Sequence, residues 1–477
     1  MDCPAITAEA ASKARTAILL VWTAWLAMGW AVKGQELTCP AEPASGKENW
    51  ENLVDAGRKL RDQSRYPAAE QCLNAAVSLT REFGDTDPRY AQSLEALAGV
   101  VQIRGRYQEA ESLFQKGLAI WQVYPGKDRL DLAVGLSNLA NLLRMEGQYP
   151  EAERLQLQAL DIVHAALPPD SPVVLQTLYG LGAIQALRGQ CAQAVVTFQN
   201  VLATQRKVLG PDDPMVAKTL SDLGHVYYTT GRYQEAESSY RRAIAIREKA
   251  LGPNDVEVGI TLNKLAALQR VVGFASEAER LWKRAVRIWE TALGSDHPLL
   301  AAGLNNLGML YNDQGKISEA EDLFRRALKI QEKSLGAEHP DVARVLNNLA
   351  GVYFQRGQYR EAEDTYRRVL AIHEKKLGPE HYDVARTWNN LAKTYVAQSR
   401  YADAEFLYIR ALALQEKTLG RTHPEVATTL VNYADLLNKT RRKAEARKLV
   451  SRARQIELQS GREQAREYTV SFPDLRK

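Results

Sequence analysis

A repeating interval constrains this chain more than any other feature. Alanine recurs at Ala69, Ala110, Ala152, Ala194, Ala236, Ala278, Ala320, Ala362, Ala404 and Ala446; the first interval is 41 residues and the next eight are 42 each. Self-similarity at such a spacing marks a stack of small units, because a unit of about forty residues cannot enclose a core alone and must share one with its neighbours. The copies occupy residues 50–460. Outside them lie a leader at 1–34, a linker at 35–49 and a tail at 461–477.

One copy, residues 338–378, shows how the unit folds. From Val342 onward, Val345, Leu346, Leu349 and Tyr353 recur at intervals of three and four, which puts them on one face of a helix ending near Gly357. A second such face runs through Ala362, Tyr366, Val369, Leu370 and Ile372 and stops at Gly378, where glycine can take the left-handed conformation that closes a helix. We name these helix A and helix B. Neither buries its apolar stripe alone, so successive hairpins must stack.

The residues at these positions carry a resemblance. Leu307, Gly308, Tyr311, Ala320, Phe324 and Ala327 fall at the spacing of the tetratricopeptide pattern, as do Trp388, Leu391, Ala392, Tyr395, Ala404, Tyr408 and Ala411. The unit is longer than the usual tetratricopeptide repeat, and its LNNLA, EAExLYxRAL and LGxEHPDVA phrases resemble the repeats of kinesin light chains and their bacterial relatives. The resemblance implies an all-α tetratricopeptide (TPR) solenoid, about ten stacked helix-turn-helix repeats in a right-handed superhelix, that works by binding other proteins. The extra residues are expected to lengthen helix B and its connector, so that Pro172, Pro214, Pro298, Pro340 and Pro424 open the next helix A.

Composition narrows the partners. With 62 Lys and Arg against 57 Asp and Glu, the net charge of +5 is spread along the whole chain and forms no basic block, which argues against nucleic acid. The leader differs from the rest. Lys13 and Arg15 precede an uncharged run from Thr16 to Val32, the layout of an export signal. Two readings of it stand: a cleaved signal, or an anchor in which residues 16–32 are the sole membrane contact and the body faces outside. Of the cysteines beyond the leader, Cys39, Cys72 and Cys191, the first two could close a loop in an oxidising compartment; the spacing favours small thiols instead.

Several residue sets invite a functional reading. His297, His339, His381 and His423 are 42 residues apart, and each belongs to a different hairpin. Stacked helices lie about 10 Å apart, too far for shared coordination at about 2 Å, so a role at helix entry is expected and no metal or cofactor is implied. Arg241, Lys283, Arg325 and Arg367 each follow a Glu by four residues and read as helix-surface pairs.

The asparagines are different. Asn263, Asn305, Asn347 and Asn389 stand fifteen residues before a repeat alanine, followed directly by Asn306, Asn348 and Asn390 in three of the repeats, with Asn432 one repeat on. Asn is a poor helix former, and on a helical wheel these positions lie away from the core leucines, on the face that is concave in solenoids of this type. We read them as a ladder of amides bonding the backbone of an extended peptide, with an inner face bonded to itself as the competing reading. Lys218, Arg344, Arg386 and Lys393 share that face with few acids, which favours an acidic ligand. The terminal-carboxylate clamp known in this family places Lys where these asparagines stand, so that mode is not expected.

The last repeat reads as a cap whose Arg441, Arg442, Lys443, Arg447, Lys448, Arg452 and Arg454 are solvated or meet an acidic surface, and the tail ends in YTVSFPDLRK, a short alternation. Two function classes remain: a scaffold binding extended, acidic peptide segments, or an assembly protein of the cell envelope that uses its convex face and ends. The repeats leave no room for a catalytic domain, so no enzyme is expected.

Overall fold

The computed structural model describes residues 47–63, 65–124 and 129–468. The leader at 1–34 and the alternating tail lie outside the described residues. Every described element is an α-helix. The ten hairpins, written as helix A then helix B, are α1 Lys47–Asp62 and α2 Tyr66–Arg81; α3 Pro88–Ile103 and α4 Tyr107–Val123; α5 Leu130–Met145 and α6 Tyr149–Ala166; α7 Pro172–Leu187 and α8 Cys191–Val208; α9 Pro214–Thr229 and α10 Tyr233–Leu251; α11 Val256–Val271 and α12 Ala275–Leu293; α13 Pro298–Asp313 and α14 Ile317–Leu335; α15 Pro340–Gln355 and α16 Tyr359–Lys376; α17 Tyr382–Ala397 and α18 Tyr401–Leu419; α19 Pro424–Lys439 and α20 Lys443–Tyr468. The last helix runs past the expected boundary at 460. Before this last helix, helix B reaches 19 residues, as in α14 and α18, and absorbs the extra length of the unit.

The helices form two compact units. The first takes the described part of Met1–Val226 together with Ala245–Leu251; the second takes Tyr227–Ile244 and everything from Gly252. Within each, the repeat alanine sits where helices A and B touch. Ala69, Ala152 and Ala194 in the first unit and Ala278, Ala320, Ala362 and Ala404 in the second are fully buried, because only a methyl group fits between the two backbones. An aromatic ring of helix B then rests on a small residue of helix A. A Cβ on Gly308 would come within 2.8 Å of the Phe324 ring, and one on Gly182 within 3.0 Å of Phe198.

Helix starts differ along the chain. Asp87 and Asp213 accept hydrogen bonds from the backbone N–H groups of Arg89 and Met215, at 2.8 and 2.7 Å. Asp255 does the same for Glu257 at 2.8 Å, and from there on histidine takes over. The Nδ1 atoms of His297, His339, His381 and His423 accept from Leu299, Asp341, Asp383 and Glu425 at 3.1 to 3.2 Å. The expected helix-entry role is therefore a side-chain N-cap, which requires an imidazole with a bare Nδ1. One expectation is corrected: Cys72 is disulfide-bonded, not a thiol, and its expected partner Cys39 lies outside the described residues. Cys191 is free.

Candidate functional site

The asparagine positions fall on α11, α13, α15, α17 and α19, all in the second unit. Their amides bond one another. Asn306 donates from Nδ2 to Oδ1 of Asn263 at 2.8 Å, Asn348 to Asn305 at 2.8 Å, Asn390 to Asn347 at 3.0 Å and Asn432 to Asn389 at 3.0 Å. Each bond spans 43 residues, joining one helix A to the next. The indole N–H of Trp282 also donates to Asn263 at 2.8 Å.

This corrects the view that packing does not place these residues. Asn305 is 2% exposed and Asn389 6%, because helix A is flanked by the helix A of the next repeat as well as by its own helix B. A wheel drawn for a single helix shows only the second of those neighbours. The remaining rungs, Asn263, Asn306, Asn347, Asn348 and Asn390, are half-buried. An amide has two donors and an acceptor with two lone pairs, and the ladder uses only part of that capacity.

The cations are also more occupied than their sequence neighbourhood suggested. Arg344 pairs with Asp341 at 3.0 Å and Arg386 with Asp383 at 2.5 Å, acids three residues earlier on the same helix face. Lys393 Nζ lies 5.0 Å from the centre of the Phe354 ring. Arg270 pairs with Asp313 at 2.6 Å. Arg344 and Lys393 remain exposed, and the Arg386 side chain keeps 41% of its surface open. Lys218 belongs to the first unit, where its ammonium sits 4.4 Å above the Tyr179 ring. The basic pairs behave as expected: Arg241, Lys283, Arg325 and Arg367 reach Glu237, Glu279, Glu321 and Glu363 at 2.6 to 2.9 Å.

The same register in the first unit holds other chemistry, which its lack of asparagine concealed. Glu95 takes the place of the first amide. Its carboxylate accepts from Trp121 Nε1 at 2.8 Å and Asn138 Nδ2 at 3.3 Å, the second again 43 residues away. Burial pushes this carboxyl up to about 7, with the charge on Asp131 adding to the effect and Arg58 opposing it. Two rungs further along, the Tyr179 hydroxyl donates to the Asp222 carboxylate, and burial first, then that negative charge, raises the phenol well above its usual range. In the second unit, burial lowers His297 to about 4 and lowers His381, which Asp383 opposes.

Comparison with known proteins places these helices. A tetratricopeptide-repeat family model matches residues 53–122, 94–165, 173–249, 257–333, 303–375, 341–417 and 383–457. No curated protein sequence matches the chain. Among solved structures, a Podosopora anserina protein described as a kinesin light chain with nearly identical TPR-like repeats is 30% identical, covers 43% of this chain and 97% of its own, and has a TM-score of 0.38. BtubC (BKLC) from P. vanneervenii is 23% identical over 52% of this chain and 94% of its own, at a TM-score of 0.40. A Rap protein complexed with competence and sporulation factor is 15% identical over 79% of this chain and 100% of its own, at 0.52, a likeness of fold alone.

Proposed function

The chain belongs to the tetratricopeptide-repeat family, in its 42-residue, kinesin-light-chain-like form, and from that premise we propose that the helix-A face of the second unit holds an extended peptide segment carrying acidic side chains. Repeats of this family serve as protein-interaction scaffolds, which sets the coarse function; the face and the ligand chemistry are our reading. The observation that carries it is a row of amides, fixed by its own rungs, with the exposed charges of Arg344, Arg386 and Lys393 beside it.

A fixed amide costs less entropy on binding than a mobile one, so self-bonding makes the row a pre-ordered floor. Asn305 and Asn389 are too buried to touch a ligand and act as supports. Contact with a peptide backbone falls to Asn306, Asn347, Asn348 and Asn390, whose spare donors and acceptors match an extended chain. The three cations attract carboxylates, although Asp341 and Asp383 offset part of that attraction.

The test is fluorescence anisotropy with a labelled nine-residue probe of alternating Glu and Ser. We expect binding that weakens with salt and falls about tenfold or more when Arg386 and Lys393 are both changed to Glu, since each buried or half-buried charged hydrogen bond is worth about 1.5–3 kcal/mol. No binding by the unaltered protein, or equal binding by the double variant, defeats the reading and leaves assembly through other faces as the better one.

A further inference from the structure

Within the second unit, helix B offers acids to the repeat that follows. Glu363 pairs with Arg400 at 3.0 Å and Glu405 with Arg442 at 2.6 Å; Glu332 pairs with Arg368 at 2.5 Å and Glu416 with Arg452 at 2.6 Å. These are two fixed registers of the 42-residue unit. In α20 both are changed. Arg447 stands where eight of the other repeats hold Glu, and Leu458 stands at the register of Glu332 and Glu416.

The change extends along one helical face. Arg447, Ser451, Arg454 and Leu458 follow at intervals of four, three and four residues, with Val450 beside them. Val450 is 46% and Leu458 55% exposed. Lys448 adjoins the stripe, and Arg441 and Lys443 precede it at the turn. Arg442 and Arg452 are tied to Glu405 and Glu416, and Glu445 is held by Arg442. By contrast, none of Arg441, Lys443, Arg447, Lys448 and Arg454 makes an ion pair among the described residues, so five exposed cations surround two exposed aliphatic side chains.

We propose that this face of α20 docks on an anionic lipid surface, with the five cations at the headgroups and Val450 and Leu458 in the shallow apolar layer beneath. The face is flat in chemistry: it has no aromatic ring or amide row with which to read a defined partner, and its charges sit on long flexible stems. Such a surface suits a diffuse negative potential that lies over hydrocarbon. An acidic protein surface would satisfy the cations but not the aliphatics between them. The proposal uses no residue of the helix-A face and stands independently of the peptide reading.

Sedimentation of the full-length chain with vesicles tests it, comparing phosphatidylcholine alone with phosphatidylcholine containing phosphatidylserine at about 30%. The readout is the excess partition into anionic over neutral vesicles, which cancels the apolar contribution of the leader, and the comparison with the variants below cancels the charge of Lys13 and Arg15. We expect a clear excess that the triple change R447E, K448E and R454E reduces about a hundredfold, as three cations worth about fivefold each imply. Leu458→Ser should lower vesicle binding several-fold while leaving binding to soluble polyglutamate unchanged. Circular dichroism at 222 nm confirms that each variant is folded. Three results overturn the proposal: no anionic excess in the unaltered chain, equal excess in the folded triple variant, or binding to polyglutamate without binding to vesicles, which would assign the face to an acidic protein.

Discussion

The two units solve one geometric problem with different chemistry. In both, position i on one helix A meets position i+43 on the next, and a buried polar pair has to be matched there. The second unit fills the slot with Asn on both sides, four times in succession. An amide donates and accepts at once, so the same rung can be repeated without limit. The first unit uses Glu95 with Asn138 and Tyr179 with Asp222. An ionised carboxylate only accepts, so every such rung needs a donor chosen for it, and the series cannot propagate. Neutral amides give a ladder whose strength is indifferent to pH, whereas carboxylates tie the first unit to its proton supply.

Acid should separate the two units most sharply. The folded-state value of Glu95, about 7, lies above its ordinary 4.5, so between those limits the native state binds the extra proton and the first unit loses stability as pH rises. The shift corresponds to roughly 3 kcal/mol as an order of magnitude. His297 has the opposite sign. Its folded value, about 4, lies below 6.5, so its cap is fully present above pH 6.5 and is lost as pH falls toward 4. Hydrogen exchange at pH 5 and pH 7, corrected for intrinsic rates, should show the amides around Glu95 better protected at pH 5 and those opening α13 less so. Glu95→Gln should flatten the first response, and His297→Asp should weaken the second. Parallel changes in both units would break the comparison.

A smaller effect is expected from cutting one rung. Asn389→Ala leaves the half-buried Asn432 amide without its acceptor, at a cost of about 1–3 kcal/mol, of which helix propensity returns about 0.5 kcal/mol. Ser137, at the same register in the first unit, makes no side-chain hydrogen bond among the described residues, and Ser137→Ala should change stability by less than about 0.5 kcal/mol. Chemical denaturation followed by circular dichroism measures both. Equal effects would mean that the ladder contributes nothing specific.

The smallest effect concerns the turn between helices A and B. Gly105 and Gly147 in the first unit and Gly315 and Gly357 in the second take a positive φ there, but the ninth repeat places Ser399 in that conformation at φ 61°. A non-glycine residue in this region costs about 1–3 kcal/mol, which glycine relieves, while its freer unfolded chain takes back about 0.5–1 kcal/mol of the gain. Ser399→Gly should therefore stabilise the second unit by up to about 1 kcal/mol, read as a rise in denaturation midpoint.

Much of this architecture was legible residue by residue. Ala362 and Gly357 mark the hairpin because a close helix contact admits only a methyl group and a tight turn favours a residue without Cβ. His339 before Pro340 announced a helix start. The asparagine face was legible as a set but not as an arrangement. Asn347 and Asn390 are 43 residues apart in sequence, and nothing in either one states that the other is its partner. Asp341 and Asp383 are legible as counter-ions in the sequence itself, since each stands three residues before its arginine on the same helix face.

What the sequence determined by itself was everything periodic: helix length, the A and B faces, the buried alanines and the family. Periodicity reports the average environment of a register, and that average is set by packing repeated in every hairpin. Only the tertiary structure decided what is not averaged: that the amides make their first bonds to each other, that Glu95 is buried at the register where Asn305 lies, and that five cations on the last hairpin make no ion pair among the described residues. Each of those depends on which side chain the neighbouring repeat brings within about 3 Å, a distance that the spacing of letters along one chain does not encode.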